Sequence, residues 1–248
     1  MSAHIPNGKV IFLMRILIIR HGEPDYAKDS LTPKGWREAD LLANRLAQLN
    51  ISDYYLSPLG RAQDTARATL LRVGKTGETL PWLHEFRGTL LDPDTGERRI
   101  AWDLLPQFWT KCPELYDPNR WTENAVYKTG NSAEIYRETQ EGLDALLARY
   151  GYRREGVLYH TEQSSDATIA LFCHFGIAMN ILSCLTGISL VPMMHAFIMA
   201  PSSVTTVISE ERRKGEVFFR CAGLGDVSHL YAAGEPESPM GRYEEVQR

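Results

Sequence analysis

Apolar positions along the chain follow two alternating periodicities. Arg15 to Ile19 is a continuous apolar run that leads into Arg20-His21-Gly22, as expected of a buried central strand. Thr32-Pro33 then marks a helix start, with Thr as N-cap and Pro at the first helical position. Trp36, Ala39, Ala43, Leu46 and Leu49 follow at helical spacing. Asp53 to Leu56 reads as a short strand. Ser57-Pro58 repeats the cap-plus-proline start, and Ala62, Ala66, Thr69 and Leu70 carry the helix on to a stop near Gly74. Asn131-Ser132-Ala133-Glu134 resembles a capping box. It opens a helix whose apolar face is Ile135, Thr139, Leu143, Leu146 and Tyr150. Thr168 to Cys173 is a third apolar strand, and Phe175 to Leu185 the helix after it, ending at Gly187. Ser202 to Ser209 and Glu216 to Cys221 read as a closing pair of strands around a turn at Arg212 to Gly215.

Strand and helix alternate, which predicts an α/β fold: a three-layer sandwich with a mostly parallel central sheet covered by helices. Sites in such sheets lie beyond the carboxyl ends of the strands, where Arg20, His21 and His174 fall. The stretch from about 88 to 130 does not fit the alternation. It holds three of the five tryptophans (Trp102, Trp109, Trp121) and several basic residues, and is taken as an aromatic-rich insertion over the pocket. Residues 1–230 are expected to form one domain. Residues 231–248, rich in Gly, Glu, Pro and Ser, are expected to be a loose tail. Met14-Arg15 reads as a chain start, so residues 1–13 are taken as an extension outside the fold.

The bulk numbers narrow the function. A chain of 248 residues with 44 % apolar and 23 % charged residues can bury a sizeable core and is too apolar for disorder. Val10 to Ile19 is broken by Arg15 and too short to span a bilayer, and it lacks a small-residue cleavage site. The run Ile169 to Leu185 is interrupted by His174 and Asn180. The net charge of −4 gives no basis for a nucleic-acid or membrane partner. A negative protein with an anionic substrate must instead gather its arginines in one pocket. Cys112, Cys173, Cys184 and Cys221 are scattered and form no C-x-x-C pair, which predicts reduced thiols, a cytoplasmic setting and neither a zinc knuckle nor a redox motif. No cofactor is implied. There is no G-x-G-x-x-G after a strand, no G-x-x-x-x-G-K-[ST] and no G-x-S-x-G.

Phosphoryl transfer needs a nucleophile in line with phosphorus and cations around the equatorial oxygens. Arg20-His21-Gly22-Glu23 places an imidazole and a guanidinium at one strand end. Ser57-Pro58-Leu59-Gly60-Arg61-Ala62 offers a helix N-terminus, which favours a dianion, with Arg61 in its first turn. Without a ligand that arginine would pair with a carboxylate such as Asp64. His174 lies at the next strand-to-helix junction, either facing the same anion or serving as a satisfied core imidazole.

Taken together, Arg-His-Gly-Glu at 20–23, Leu-Thr-Pro-Lys-Gly-Trp-Arg-Glu-Ala at 31–39, Ser-Pro-Leu-Gly-Arg-Ala-Gln-Asp-Thr-Ala at 57–66 and Cys-His-Phe-Gly at 173–176 resemble the histidine phosphatase superfamily, the phosphoglycerate mutase-like fold. The resemblance spans about 15–230, with the region near 88–130 unmatched. It implies a metal-independent phosphomonoesterase acting on a small phosphorylated metabolite. His21 would be the nucleophile, and Arg20, Arg61 and His174 the phosphate pocket. It also implies an acid for the leaving oxygen, for which Leu83-His84-Glu85-Phe86-Arg87-Gly88 offers Glu85; the other reading of Glu85 is an exposed loop residue paired with Arg87. Glu23, His84 and Arg87 are weaker candidates for substrate contacts, and His229 is as readily structural as functional. The sequence departs from the family where Thr and Asn commonly follow the first motif: Pro24, Asp25 and Tyr26 stand there. Two alternatives stay open. One is a mutase whose insertion supplies extra cations through Arg98, Arg99, Lys111 and Arg120. The other is a catalytically weak phospho-ligand binding protein. Oligomeric state, a homodimer included, is not specified by sequence.

Overall fold

Side chains alternate across a strand, so the central strand Arg15–Arg20 serves both faces of its sheet at once. Ile16 and Ile18 enter one apolar cluster, with Ile169, Leu171, Leu143 and Ile181. Leu17 and Ile19 enter a second, with Leu42, Leu46, Ala66 and Phe172. Burial on both faces explains why this strand reads as an unbroken apolar run.

The computed structural model describes residues 13–240. The expectation about residues 1–13 therefore lies, Leu13 apart, outside the described residues. Met14 itself is fully buried, and its N–H donates to Ser209 Oγ. Eight strands form one sheet in the spatial order Glu78–Thr79, Asp53–Leu56, Thr168–Cys173, Arg15–Arg20, Val204–Arg213, Glu216–Asp226, Leu158–His160 and Arg153–Glu155. Helices Pro33–Leu46 and Gly60–Val73 feed the second cluster, and Ser132–Ala148 and Phe175–Thr186 the first. This is the expected α/β sandwich. Its sheet is mixed: the first four strands in that order are parallel, and the other four pair antiparallel. Two of the antiparallel pairings, Val204–Arg213 with Glu216–Asp226 and Arg153–Glu155 with Leu158–His160, are hairpins, since a tight turn can join only antiparallel neighbours. No helix among the described residues is long and apolar enough to cross a membrane.

Local expectations hold where the capping oxygen is still able to accept from its own helix. Thr32 caps Pro33–Leu46 by accepting from Gly35 N–H at 3.0 Å. They fail where tertiary partners compete. Helix Gly60–Val73 begins two residues later than the Ser57-Pro58 signal suggests, because Ser57 Oγ is engaged with His174. Asn131 precedes Ser132–Ala148 as expected, but its Oδ1 accepts from Thr89 N–H at 3.0 Å in place of closing a capping box. Trp36, assigned to an apolar face, is 39 % exposed.

Residues 88–130 form a small hairpin, Thr89–Leu91 with Arg98–Ile100, and a series of short helical turns. They are packed into the main core. Leu90, Ala101, Leu104 and Leu115 join the first cluster, and buried Trp121 stands edge-on to Tyr127 and Tyr136.

Residues 231–240 are docked on the fold where a loose tail is expected from sequence; residues 241–248 lie outside the described residues. Helix Ser228–Ala233 is followed by a strap that runs to Met240. Glu235 bridges Lys34 at 3.1 Å and Arg37 at 3.0 Å, and Ser238 is fully buried with its hydroxyl donating to Glu23 Oε2 at 2.6 Å. A charge-rich sequence can dock when its charges meet fixed partners. Ser238→Ala leaves a carboxylate oxygen short of a donor and should cost about 1–3 kcal/mol in urea unfolding; unchanged stability would mean that the strap does not hold in solution.

Candidate active site

Strand register assembles the site. Arg20 is level with Cys173, and Phe172 with Leu56, in three adjacent parallel strands. The residues that leave those strands, His21, His174 and Ser57, therefore emerge side by side. The backbone seals the arrangement: His21 N–H donates to Cys173 O at 3.0 Å, and Ser57 N–H to Phe172 O at 2.8 Å.

The His21 and His174 rings lie with centroids 5.1 Å apart. His21 Nδ1 is 2.7 Å from its neighbour's carbonyl, Gly22 O, so the ring hydrogen sits on Nδ1 and the Nε2 lone pair is free. Burial, reinforced by the Arg20 charge, pushes the His21 pKa down to about 3. The imidazole is neutral across the physiological range. Burial drives His174 further in the same direction, with His21 and Arg61 adding to it. Its Nε2 is 2.7 Å from Ser57 Oγ, which itself accepts from Leu59 N–H. With the serine donating, the His174 hydrogen sits on Nδ1. That atom is buried and has no protein partner.

Both arginines show the same feature. Arg20 is 6 % exposed and directs Nη1 to Met199 O and, at 3.4 Å, to Met240 O, while its Nε is buried without a partner. Arg61 gives Nη1 to Asp29 Oδ1 at 2.6 Å, and its Nε too is buried and unpaired. Asp29, not Asp64, is the counter-ion; Asp64 instead accepts from Ser30. A buried donor without an acceptor is costly, and here three of them belong to one site.

Glu85 completes the arrangement. Its Oε1 accepts from Phe86 N–H at 2.8 Å and from Ile177 N–H at 3.2 Å, in the first turn of helix Phe175–Thr186. Gly176 permits this approach, since a Cβ there would lie 2.9 Å from Glu85 Oε1 and 2.5 Å from Trp102. Desolvation raises the Glu85 pKa against the pull of those two N–H groups. The pairing with Arg87 is not found. Trp102, from the 88–130 segment, packs on Phe86 and edge-on to Phe175, so it walls the side of the site that holds Glu85.

The remaining candidates separate. His84 is held by Nδ1 to Glu85 O at 2.7 Å and is close enough to His174 to influence it electrostatically. Arg87 is exposed and lies outside the ring of buried groups. Glu23 is spent on structure, with Oε1 accepting from Thr32 and Oε2 from Ser238. His229 bonds Ser202 at 3.2 Å, and Ser202 N–H holds His21 O at 2.9 Å, a supporting role. Sequence reasoning missed Thr65, Ser57 and Asp29. Thr65 Oγ1 accepts from Gly22 N–H at 3.0 Å and fixes the first motif; its only sequence signal was membership of the 57–66 motif. Among the described residues no group of three His, Cys, Asp or Glu side chains is placed to hold a metal ion.

A family model for the histidine phosphatase superfamily (branch 1) matches residues 16–220. The chain belongs to that superfamily. Among solved structures, a mycobacterial glucosyl-3-phosphoglycerate phosphatase matches with TM-score 0.58 at 18 % identity, over 86 % of this chain and 99 % of that one. A phosphoserine phosphatase mutant from Entamoeba histolytica in complex with phosphoserine matches with TM-score 0.56 at 21 % identity, over 88 % and 99 %. A putative alpha-ribazole-5'-P phosphatase from Escherichia coli matches with TM-score 0.56 at 20 % identity, over 86 % and 98 %. At these identities the likeness is one of fold. Among curated proteins no match was found.

A depressed His21 pKa has a directional consequence. The neutral form persists above the folded value of about 3, so the His21 imidazole resonances should not shift between pH 8 and pH 5 in the ligand-free protein. An NMR titration with a midpoint near the ordinary 6.5 would show a solvated ring and contradict the buried geometry.

Proposed function

We propose that this chain is a phosphomonoesterase that works through a phosphohistidine on His21 and acts on a small phosphorylated metabolite. One observation carries the reading: Arg20 Nε, Arg61 Nε and His174 Nδ1 are buried nitrogen atoms without protein partners, gathered beside a neutral imidazole. A tetrahedral dianion supplies what each of them lacks.

In this reading the three donors hold the phosphoryl oxygens and stabilise the charge that builds on them. His21 Nε2 attacks phosphorus, while Nδ1–H stays bonded to Gly22 O and keeps the ring in line. Glu85, its proton favoured by desolvation, protonates the departing oxygen as the P–O bond breaks. The resulting carboxylate then takes a proton from water, which attacks the phosphohistidine and releases phosphate. Both arginines provide the charge compensation that a divalent cation gives in other phosphoryl-transfer sites, so the reaction is proposed to need no metal.

Hydrolysis is favoured over mutase chemistry by the insertion. Three of the cations considered for a second substrate anion are engaged within that segment. Arg99 pairs with Asp92 at 3.1 Å, Arg120 with Glu123 at 3.4 Å, and Arg98 donates to Thr89 at 3.0 Å. The structural neighbours are named as phosphatases of three different small substrates, which agrees with hydrolysis and leaves this chain's own leaving group open. Four free thiols suit a reducing, cytoplasmic setting.

Glu85→Gln keeps the shape of the side chain and removes the acid. It should slow alkyl phosphates by roughly 10²–10⁴-fold and spare nitrophenyl phosphate, whose leaving group needs no proton; equal losses on both would remove Glu85 from that role. Turnover measured on a panel of phosphomonoesters should be unaffected by EDTA, and inhibition by the chelator would reveal a metal requirement.

A further inference from the structure

Among the four residues proposed to hold phosphate, Arg61 lies within a helix, and that helix does little to orient its side chain. It sits in the first turn of Gly60–Val73, where a cation opposes the helix dipole, and Leu59 gives that helix no side-chain cap. A long, flexible side chain in that position would not hold one orientation unaided.

The support comes from the loop that follows the first motif. Asp29 sits in left-handed backbone at φ 47°, a conformation that Asp tolerates better than most residues. There its carboxylate reaches two donors. Oδ2 accepts from Gly60 N–H at 2.7 Å, which satisfies the start of the helix, and Oδ1 accepts from Arg61 Nη1 at 2.6 Å. Tyr26, from the same loop, lies over the guanidinium with its ring centre 5.5 Å from Cζ. The carboxylate fixes the direction of the guanidinium, and the ring lies against it. Two further features hold the loop down. Ser30 donates to Asp64 at 2.6 Å, and residue 60 is a glycine because a Cβ there would lie 2.1 Å from Asp29 O.

We infer that Asp29 is a positioning residue for phosphate binding: clamped with Tyr26 against Arg61, it holds the guanidinium with its unpaired Nε edge toward the anion. The inference rests on the phosphatase reading of the pocket, since it gives that edge an oxyanion to meet. Asp29 also carries a charge of the same sign as phosphate, so its removal has two opposed effects on an anion. Loss of positioning weakens binding, and loss of the charge strengthens it. The sign of the measured change separates them.

The test is a double-mutant cycle read by inhibition with inorganic vanadate, with thermal unfolding as the check on folding. Asp29→Ala in the wild-type background should weaken vanadate inhibition by roughly tenfold, while the same change in an Arg61→Ala background should alter it by less than about twofold. Tighter or unchanged inhibition in the wild-type background would overturn the inference. So would an equal loss in both backgrounds, which would make Asp29 a general support of the loop. If the alanine variant does not fold, Asp29→Asn retains one of the two hydrogen bonds and should show a smaller loss of the same sign, again dependent on Arg61. Failure of vanadate to inhibit the wild-type protein at all would instead overturn the phosphatase reading, so the two failures are distinguishable.

Discussion

Two guanidinium groups lie at the carboxyl edge of the sheet's parallel half with their Nε atoms buried and unpaired, and the rest of the site answers to that charge. Burying a cation without a full set of acceptors is unfavourable, and a folded chain retains such a group where a ligand completes it. The consequences spread outward from the arginines. With burial, their field holds His21 and His174 neutral, which leaves one with a free Nε2 lone pair and lets the other donate from Nδ1. Glu85, within reach of the same charges, keeps a raised pKa because desolvation outweighs them. The two neutral imidazoles respond to burial and the buried positive charge together, whereas the Glu85 proton is kept by desolvation against that charge.

The fold supplies the precision that this chemistry needs. Three strands in parallel register bring His21, Ser57 and His174 to a single edge without any long-range side-chain search. Around them, supports arrive from distant parts of the chain: Thr65 on Gly22, Ser202 on the His21 carbonyl, Met199 and Met240 on Arg20, Asp29 on Arg61. The 88–130 segment contributes Trp102 to the wall by Glu85 and pairs Arg99 and Arg120 with its own carboxylates.

What could be read from the sequence follows a physical division. Buried strands such as Thr168–Cys173 and amphipathic helices such as Pro33–Leu46 are specified by local pattern, and the four residues proposed to hold phosphate by short motifs at or just beyond strand ends. Groups whose role depends on a distant partner were not legible. Ser57 reads as a helix cap and serves His174; Asn131 reads as a cap and serves Thr89; Asp29 carries no local signal because its partners lie 31 and 32 residues away. The strap to Met240 was misread for the same reason. Its charges look solvated in sequence and find Lys34 and Arg37 only in space.

The most direct measurement of the phosphohistidine mechanism is a rapid-quench experiment with a ³²P-labelled phosphomonoester, followed by mapping of the labelled peptide. An acid-labile, base-stable phosphoryl group on the peptide containing His21, formed and lost at least as fast as turnover, is the expected result. Phosphate release without any labelled enzyme, or a label carried by another residue, would contradict it.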